Sequence, residues 1–262
     1  MALSLSSLNN RVALVTGAGR GIGRAVALAM ARAGCDVVLA ARTRGPLEEV
    51  AAAIRGYGRE AVPVMCDVGS RAAVDALEQT SRQAGVVQIL VNGAGIAPAA
   101  SFLEMDDALL EEVMRTNFMG TYYCCKRFLA PMIGAGWGRI INIASTAAKT
   151  GYPYTAAYTA SKHAVLGLTR VMALETARKG VTVNAICPGY VDTDLTRENA
   201  RLMAAAVGST TPGILERFAR TAPLHRLMTA GEVADAAVLL AGPAGDAVTG
   251  QAINVDGGAV MG

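Results

Sequence analysis

Metal-binding and redox-active residues are scarce in this sequence. Its two histidines, His163 and His225, lie far apart and lack ligand-like companions, so no zinc site is expected. The five cysteines form no Cys-x-x-Cys pair, and the adjacent Cys124 and Cys125 cannot readily bridge each other. An odd number without framework spacing fits a reducing cytoplasm. Charge is also thin, at 17% of residues, and 24 basic against 21 acidic side chains leave a net +3 with no basic block. That balance argues against a nucleic-acid partner and against a polybasic membrane anchor. The longest uncharged stretch, Gln83 to Leu103, is interrupted by Asn92, Gly93, Gly95 and Pro98, and so reads as strand, turn and helix start instead of a membrane span. Met1 to Asn10 lacks the basic and long apolar regions of a secretory signal. With no linker-like segment and no solenoid repeat, residues 1–262 are expected to form a single domain.

Apolar residues are plentiful, at 52%. They fall in short runs bounded by turn residues: Val12 to Val15, Val37 to Ala41, Val62 to Met65, Ile89 to Val91, Ile140 to Ile143, Val181 to Ile186 and Ala252 to Val255. These lengths suit buried strands. Helical patterns alternate with them, at Gly21 to Ala33, Leu47 to Arg55, Arg71 to Gln83, Ala108 to Ile133, Thr155 to Arg178 and Gly231 to Ala241. The alternation predicts an α/β fold of the Rossmann type, a doubly wound parallel sheet of about seven strands with helices on both faces. From residue 192 to 226 the pattern lapses into helix-like pieces broken by Gly208, Pro212, Gly213 and Pro223, where a substrate-covering lid is expected.

The first strand leads into Thr16-Gly17-Ala18-Gly19-Arg20-Gly21-Ile22-Gly23, and a helix opens directly behind. Gly17 permits the tight turn, Gly21 lets a pyrophosphate approach the backbone, and the helix start offers free N–H groups and a positive dipole. Cofactor choice is expected at the end of the second strand. Asp36 has nearly the right spacing for a ribose-binding carboxylate but precedes that strand, whereas Ala41-Arg42 ends it, so a 2′-phosphate and hence NADP(H) are favoured, with NAD(H) the alternative. Arg20 adds a second charge. Asp67, after the third strand, reads either as an acceptor for the adenine amino group or as a helix N-cap. Asn92-Gly93-Ala94-Gly95 supplies small residues where a cofactor ribose would lie against the backbone.

Tyr158 and Lys162 stand one helical turn apart on one face, downstream of Ser145 at the end of the fifth strand. A phenol titrates near ~10, so it works as an acid/base at neutral pH only if positive charge stabilises the phenolate. A depression of roughly three units, about 4 kcal/mol, is expected from Lys162 together with an oxidised nicotinamide ring. Ser145 is placed to hydrogen-bond the substrate oxygen, and Asn117 to hold a water connecting Lys162 to solvent. The walls of the substrate pocket are expected at Ile96, Ala147, Tyr152, Tyr190 and the segment after Asp192; no metal is expected.

These motifs resemble the short-chain dehydrogenases/reductases: Thr-Gly-x-x-x-Gly-x-Gly at 16–23, Asn-x-Ala-Gly at 92–95, Asn117, Ser145, Tyr-x-x-x-Lys at 158–162 and Pro188-Gly189. The resemblance implies a catalytic tetrad of Asn117, Ser145, Tyr158 and Lys162. It places the cofactor against Gly17, Gly19, Arg20, Gly21, Ile22, Gly23, Arg42, Asp67, Val68, Asn92, Ala94 and Gly95. It adds Tyr158 and Lys162 at the nicotinamide ribose, and Pro188, Gly189, Val191 and Thr193 at the carboxamide. The substrate would meet Ser145, Ala147, Tyr152, Tyr158 and Tyr190. A homotetramer is also implied. The chain looks most like the 3-oxoacyl thioester reductase branch, with a cyclic or aromatic ketone as the alternative substrate and a dinucleotide-sensing binding protein as the non-enzyme alternative. Gly93 stands where many members carry a second Asn, which counts against a sheet-bridging side-chain hydrogen bond there but not against the cofactor site. The neutral Gly134-Ala135-Gly136-Trp137-Gly138 ahead of Arg139 counts against a carrier-protein docking surface, leaving Lys179 as one candidate.

Overall fold

The computed structural model describes residues 8–261, without the side chain at 206; the amino-terminal residues 1–7, on which the reading of a missing signal largely rests, lie outside it. Seven parallel strands form one sheet in the order β3-β2-β1-β4-β5-β6-β7. They are β1 (Val12–Thr16), β2 (Asp36–Ala41), β3 (Ala61–Met65), β4 (Val87–Asn92), β5 (Gly138–Ile143), β6 (Val181–Pro188) and β7 (Ala252–Val255). Every expected strand is present, most of them longer by one to three residues, because main-chain pairing continues past the apolar run.

The helices are α1 (Gly21–Arg32), α2 (Arg44–Gly56), α3 (Arg71–Ser81), α4 (Asp107–Val113), α5 (Gly120–Gly134), α6 (Ala156–Thr176), α7 (Asp194–Val207), α8 (Thr211–Arg220) and α9 (Ala230–Ala241). The sheet's two faces carry separate cores. Ala13, Val15, Val37, Leu39 and Ile89 pack against α1, α2 and α9, while Val12, Leu14, Val38, Leu90 and Ile140 pack against α3, α5 and α6. Alternate residues of each strand thus serve opposite faces, which is why the strands read as unbroken apolar runs. In α2 the buried residues Leu47, Val50, Ala51 and Ile54 follow helical spacing and make its single apolar stripe. Helix starts are set by side chains: Ser70 caps α3, and Thr229 with Glu232 forms a reciprocal capping box on α9.

Two stretches differ from the sequence pattern. The long helix expected from Ala108 to Ile133 is α4 and α5 joined by a π-helical segment, Met114–Met119, that contains Asn117. A π turn admits an extra residue and shifts the helical face that follows, so Asn117 is aimed at the sheet edge. The expected lid region contains α7 and α8, which pack on one another through Ala200, Ala204, Ile214 and Phe218 in a small core of their own.

The middle of the sheet is crossed by side-chain hydrogen bonds. Asn92 of β4 donates to Asn142 of β5 at 2.8 Å, and Asn142 donates to Thr169 of α6 at 2.9 Å. All three are nearly inaccessible. The bridging bond that Gly93 counted against is therefore made, by Asn92 itself; pattern reading missed it because Asn142 lies 50 residues away. An Asn142→Ala variant takes the acceptor from the Asn92 amide and the donor from the Thr169 hydroxyl, leaving them only Cys125 and the Val165 carbonyl, and should lose about 2 to 3 kcal/mol in urea unfolding. A loss within experimental error would show that the row does not hold the sheet edge.

Candidate active site

Strand order reverses between β1 and β4, and the loops at their carboxyl ends part there. The parting leaves a groove of about 350 Å³. The turn after β1 is held to the one after β4 by the buried Thr16 hydroxyl, which accepts from the N–H groups of Gly93 at 3.1 Å and Ala94 at 3.2 Å. Glycine is required in this clasp. Gly17 has φ +69°, and a Cβ there would stand 2.8 Å from the Gly93 oxygen; a Cβ on Gly23 would stand 2.2 Å from the oxygen of Gly17. α1 begins at this turn with no side-chain cap and no acidic residue in its first turn, unlike the capped starts of α3, α4, α7, α8 and α9. Its N–H groups are left for an anion.

Of the residues assigned to the cofactor, Gly17, Gly19, Arg20, Gly21, Ile22, Gly23, Arg42, Asp67, Val68, Ala94, Gly95 and Thr193 line this groove. Arg20 and Arg42 are exposed and make no ion pair with any described residue. Asp36 sits at the opposite end of β2, paired with Arg59 at 2.9 Å and accepting from the Glu60 N–H, and so has a purely structural role. Asp67 accepts from the Gly69 N–H at 3.0 Å and pairs with Arg115 at 2.9 Å. Although its partial burial works the other way, those partners hold its carboxyl below the usual range. Ser70, not Asp67, caps the following helix.

Six residues assigned to the cofactor do not line the groove: Tyr158 and Lys162, which belong to the second cluster, and Asn92, Pro188, Gly189 and Val191. Asn92 is buried in the sheet-crossing row. Pro188 ends β6, the Gly189 N–H bonds to Val255, and Val191 is buried in a bridge to Met228; they carry the chain to Thr193, which alone of that segment's assigned residues reaches the groove. Sequence reading also passed over Thr116, which lines the groove from the π segment, and Arg115, which reaches it through Asp67. Neither carries a local signal, since each is defined by a contact distant in the chain.

The groove ends on the second cluster. A Cβ on Gly95 would lie 3.3 Å from Asn117 Oδ1 and 3.7 Å from Lys162 Nζ, so dinucleotide groove and candidate chemistry share that glycine. Asn117 is fully buried: its Oδ1 accepts from the Ile96 N–H, and its amide donates to the Ile96 carbonyl and to Ser161 Oγ. Both amide protons are thereby used. Its side chain clasps the β4 loop to α6 and is not free to hold the expected water through its amide. Lys162, also buried, donates from Nζ to the Ile143 carbonyl at 2.7 Å, and burial pulls its ammonium down to about 8.

Without a nicotinamide beside it, the Tyr158 phenol is shifted upward. Burial pushes its phenol up, opposed by a hydrogen bond with Ser145, and the Lys162 ammonium stands 5.6 Å from its ring centroid. Desolvation outweighs that hydrogen bond, so in the dinucleotide-free protein the phenol holds its proton at neutral pH. That protonation state is the one a proton donor needs. Ser145 in turn accepts from the Ala147 N–H at 3.1 Å, which fixes its hydroxyl. Ala147 is closed to solvent, so it positions Ser145 instead of walling a pocket. Tyr152 donates to Thr146 at 3.0 Å and meets the edge of Tyr190 at 6.4 Å between centroids, and Tyr190 stacks on Phe218 of α8 at 4.0 Å. Arg139 lies buried, ion-paired with Asp246 and over the Trp137 ring, so the segment before β5 presents no cation.

Residues 11–203 match the family model for short chain dehydrogenases. The chain is 37% identical to a 3-oxoacyl-[acyl-carrier-protein] reductase of Pseudomonas aeruginosa, covering 97% of this chain and 99% of that one. It is 39% identical to one from Synechocystis, covering 98% and 100%. A crystal structure of a variant actinorhodin polyketide ketoreductase with NADPH superposes with a TM-score of 0.91 at 38% identity, covering 94% and 96%. The chain belongs to the short-chain dehydrogenase/reductase family and is an oxidoreductase of that family.

Lys162 also gives a stability signature. Below pH 8 it is charged in both the folded and unfolded chain; between 8 and the ordinary lysine value of 10.5 the unfolded chain binds the extra proton, so stability rises with pH. In urea unfolding of the dinucleotide-free protein, wild type should gain on Lys162→Met by up to about 1.4 kcal/mol per pH unit across that window. A difference independent of pH would contradict the depressed ammonium.

Proposed function

We propose that this protein interconverts a ketone and a secondary alcohol with NADP(H), acting through Asn117, Ser145, Tyr158 and Lys162. The observation that carries the reading is Gly95, which lines the groove and whose side-chain position faces the Asn117 carbonyl oxygen and the Lys162 ammonium, so that any side chain there would meet both. Bound there, a nicotinamide dinucleotide supplies or accepts the hydride. The uncapped start of α1 fits its pyrophosphate, and Arg20 and Arg42, both without ion pairs among the described residues, fit a 2′-phosphate; this favours NADP(H), as does the NADPH in the related ketoreductase structure, over NAD(H).

The chain's own residues divide the remaining work. Ser145 and Tyr158, already hydrogen-bonded to each other, face the substrate's carbonyl oxygen; as negative charge grows on that oxygen, Tyr158 delivers its proton and Ser145 donates a hydrogen bond. Lys162 stabilises the phenolate left behind. Asn117 is a positioning residue, fixing Ile96 and Ser161 so that groove and tetrad keep their spacing. In the oxidative direction each proton transfer reverses.

The names of the curated relatives support a 3-oxoacyl thioester as substrate. The row Tyr152, Tyr190 and Phe218 supports a cyclic or aromatic ketone as the second reading. We further propose one domain in which α7 and α8 serve as the lid. No helix among the described residues is long and apolar enough to cross a membrane. Five free, buried cysteines support a cytoplasmic setting, and exposed Val171 and Leu174 on α6 support association as a homotetramer.

Tyr158→Phe separates the enzyme from a dinucleotide-sensing protein. It should lower kcat for NADPH-dependent ketone reduction by about a thousandfold or more while leaving the NADPH Kd, read by cofactor fluorescence, within about threefold. Unchanged turnover would sink the mechanism.

A further inference from the structure

Three phenols gather at the carboxyl edge, and the hydroxyl of one of them is unused in the scheme above. The hydroxyl of Tyr152 is committed to Thr146 and that of Tyr158 to Ser145. The hydroxyl of Tyr190 makes no hydrogen bond among the described residues, and yet it is not one of the sealed polar atoms left without a partner, so it keeps an open face. Its ring is half-buried and held on two sides, stacked 4° from parallel on Phe218 and met by the edge of Tyr152 at 63°.

Ring packing alone would be served equally well by phenylalanine. The hydroxyl, with an open face and no partner among the described residues, is left for water or for a ligand that supplies an acceptor. Burial, with the phenols of Tyr152 and Tyr158 close by, pushes Tyr190 up to about 12, so it is a donor throughout the working pH range. Tyr190 and Tyr158 stand close enough for the two phenols to act on each other, which puts the free hydroxyl beside the proposed carbonyl site.

We propose that Tyr190 is a specificity-determining residue whose hydroxyl donates to a second oxygen of the substrate, apart from the reacting carbonyl, so that the preferred substrates are ketones with a nearby oxygen acceptor, such as 3-oxo esters and thioesters. This rests on the reading of Tyr158 and Ser145 as the ketone site. It selects between the two substrate classes left open there, because a site built around a hydrogen bond rejects analogues lacking the acceptor more strongly than a merely apolar wall does.

Tyr190→Phe keeps the stack and removes only the hydroxyl. Ethyl acetoacetate and cyclohexanone serve as probes, each followed by NADPH turnover and, independently, by ligand-detected NMR binding to the protein. The variant should lose about tenfold in kcat/KM and in affinity for ethyl acetoacetate, the worth of one neutral hydrogen bond, with cyclohexanone changed less than twofold. Equal losses on both ketones, or none on either, overturn the proposal while leaving the oxidoreductase reading intact. If wild type turns over neither ketone, the NMR arm decides: selective loss of ethyl acetoacetate binding upholds the Tyr190 contact and counts against the activity, and no selective loss overturns the contact too. Circular dichroism of the variant, matching wild type, excludes a folding defect.

Discussion

The hydrogen bond from Lys162 to the Ile143 carbonyl is the interaction on which the site depends. It fastens the second turn of α6 to the last residue of β5, and it does so with a cation taken out of water. A buried ammonium with few partners is costly, which is why it is drawn down to about 8. The surrounding structure tolerates that cost, keeping a mobile side chain at one point beside Tyr158 and Gly95. Preorganised charge of this kind needs no rearrangement when charge develops on a substrate.

Holding that point in place takes three side-chain clasps along one sheet edge. Thr16 joins the β1 turn to the β4 turn, Asn92 and Asn142 join β4 to β5 and thence to α6, and Asn117 joins the loop at Ile96 to Ser161. Each links segments that parallel pairing alone leaves separate, because parallel strands stop bonding where their loops diverge. Glycine at 17, 23 and 93 lets these loops approach to distances that any Cβ would prevent. Groove and tetrad are therefore two ends of one hydrogen-bonded edge, and a change at either end is felt at the other.

Much of this was legible in the sequence because local periodicity and turn chemistry decide it. The seven strands announced themselves as apolar runs serving two cores, and the Gly-rich turn and the Tyr158-Lys162 spacing were read without any structure. What escaped was decided by residues distant in the chain or by burial. Asn92 pointed into the sheet, not the groove, since its partner is Asn142. The amide of Asn117 was spent on Ile96 and Ser161, and Ala147 was enclosed. The pKa of Tyr158 in the dinucleotide-free protein lies above the ordinary value because desolvation, which no motif displays, outweighs the hydrogen bond with Ser145. The π segment that aims Asn117 has no sequence signature at all.

The central claim is that the groove and the Ser145–Tyr158–Lys162 cluster serve one substrate carbonyl, the hydride reaching its carbon and the proton its oxygen. Reduction of a 3-oxo ester with NADPH deuterated at both C4 positions tests it most directly, with product examined by NMR. Deuterium on the new carbinol carbon, and none exchanged with solvent, is the predicted result; a carbinol carbon bearing only protium would contradict it.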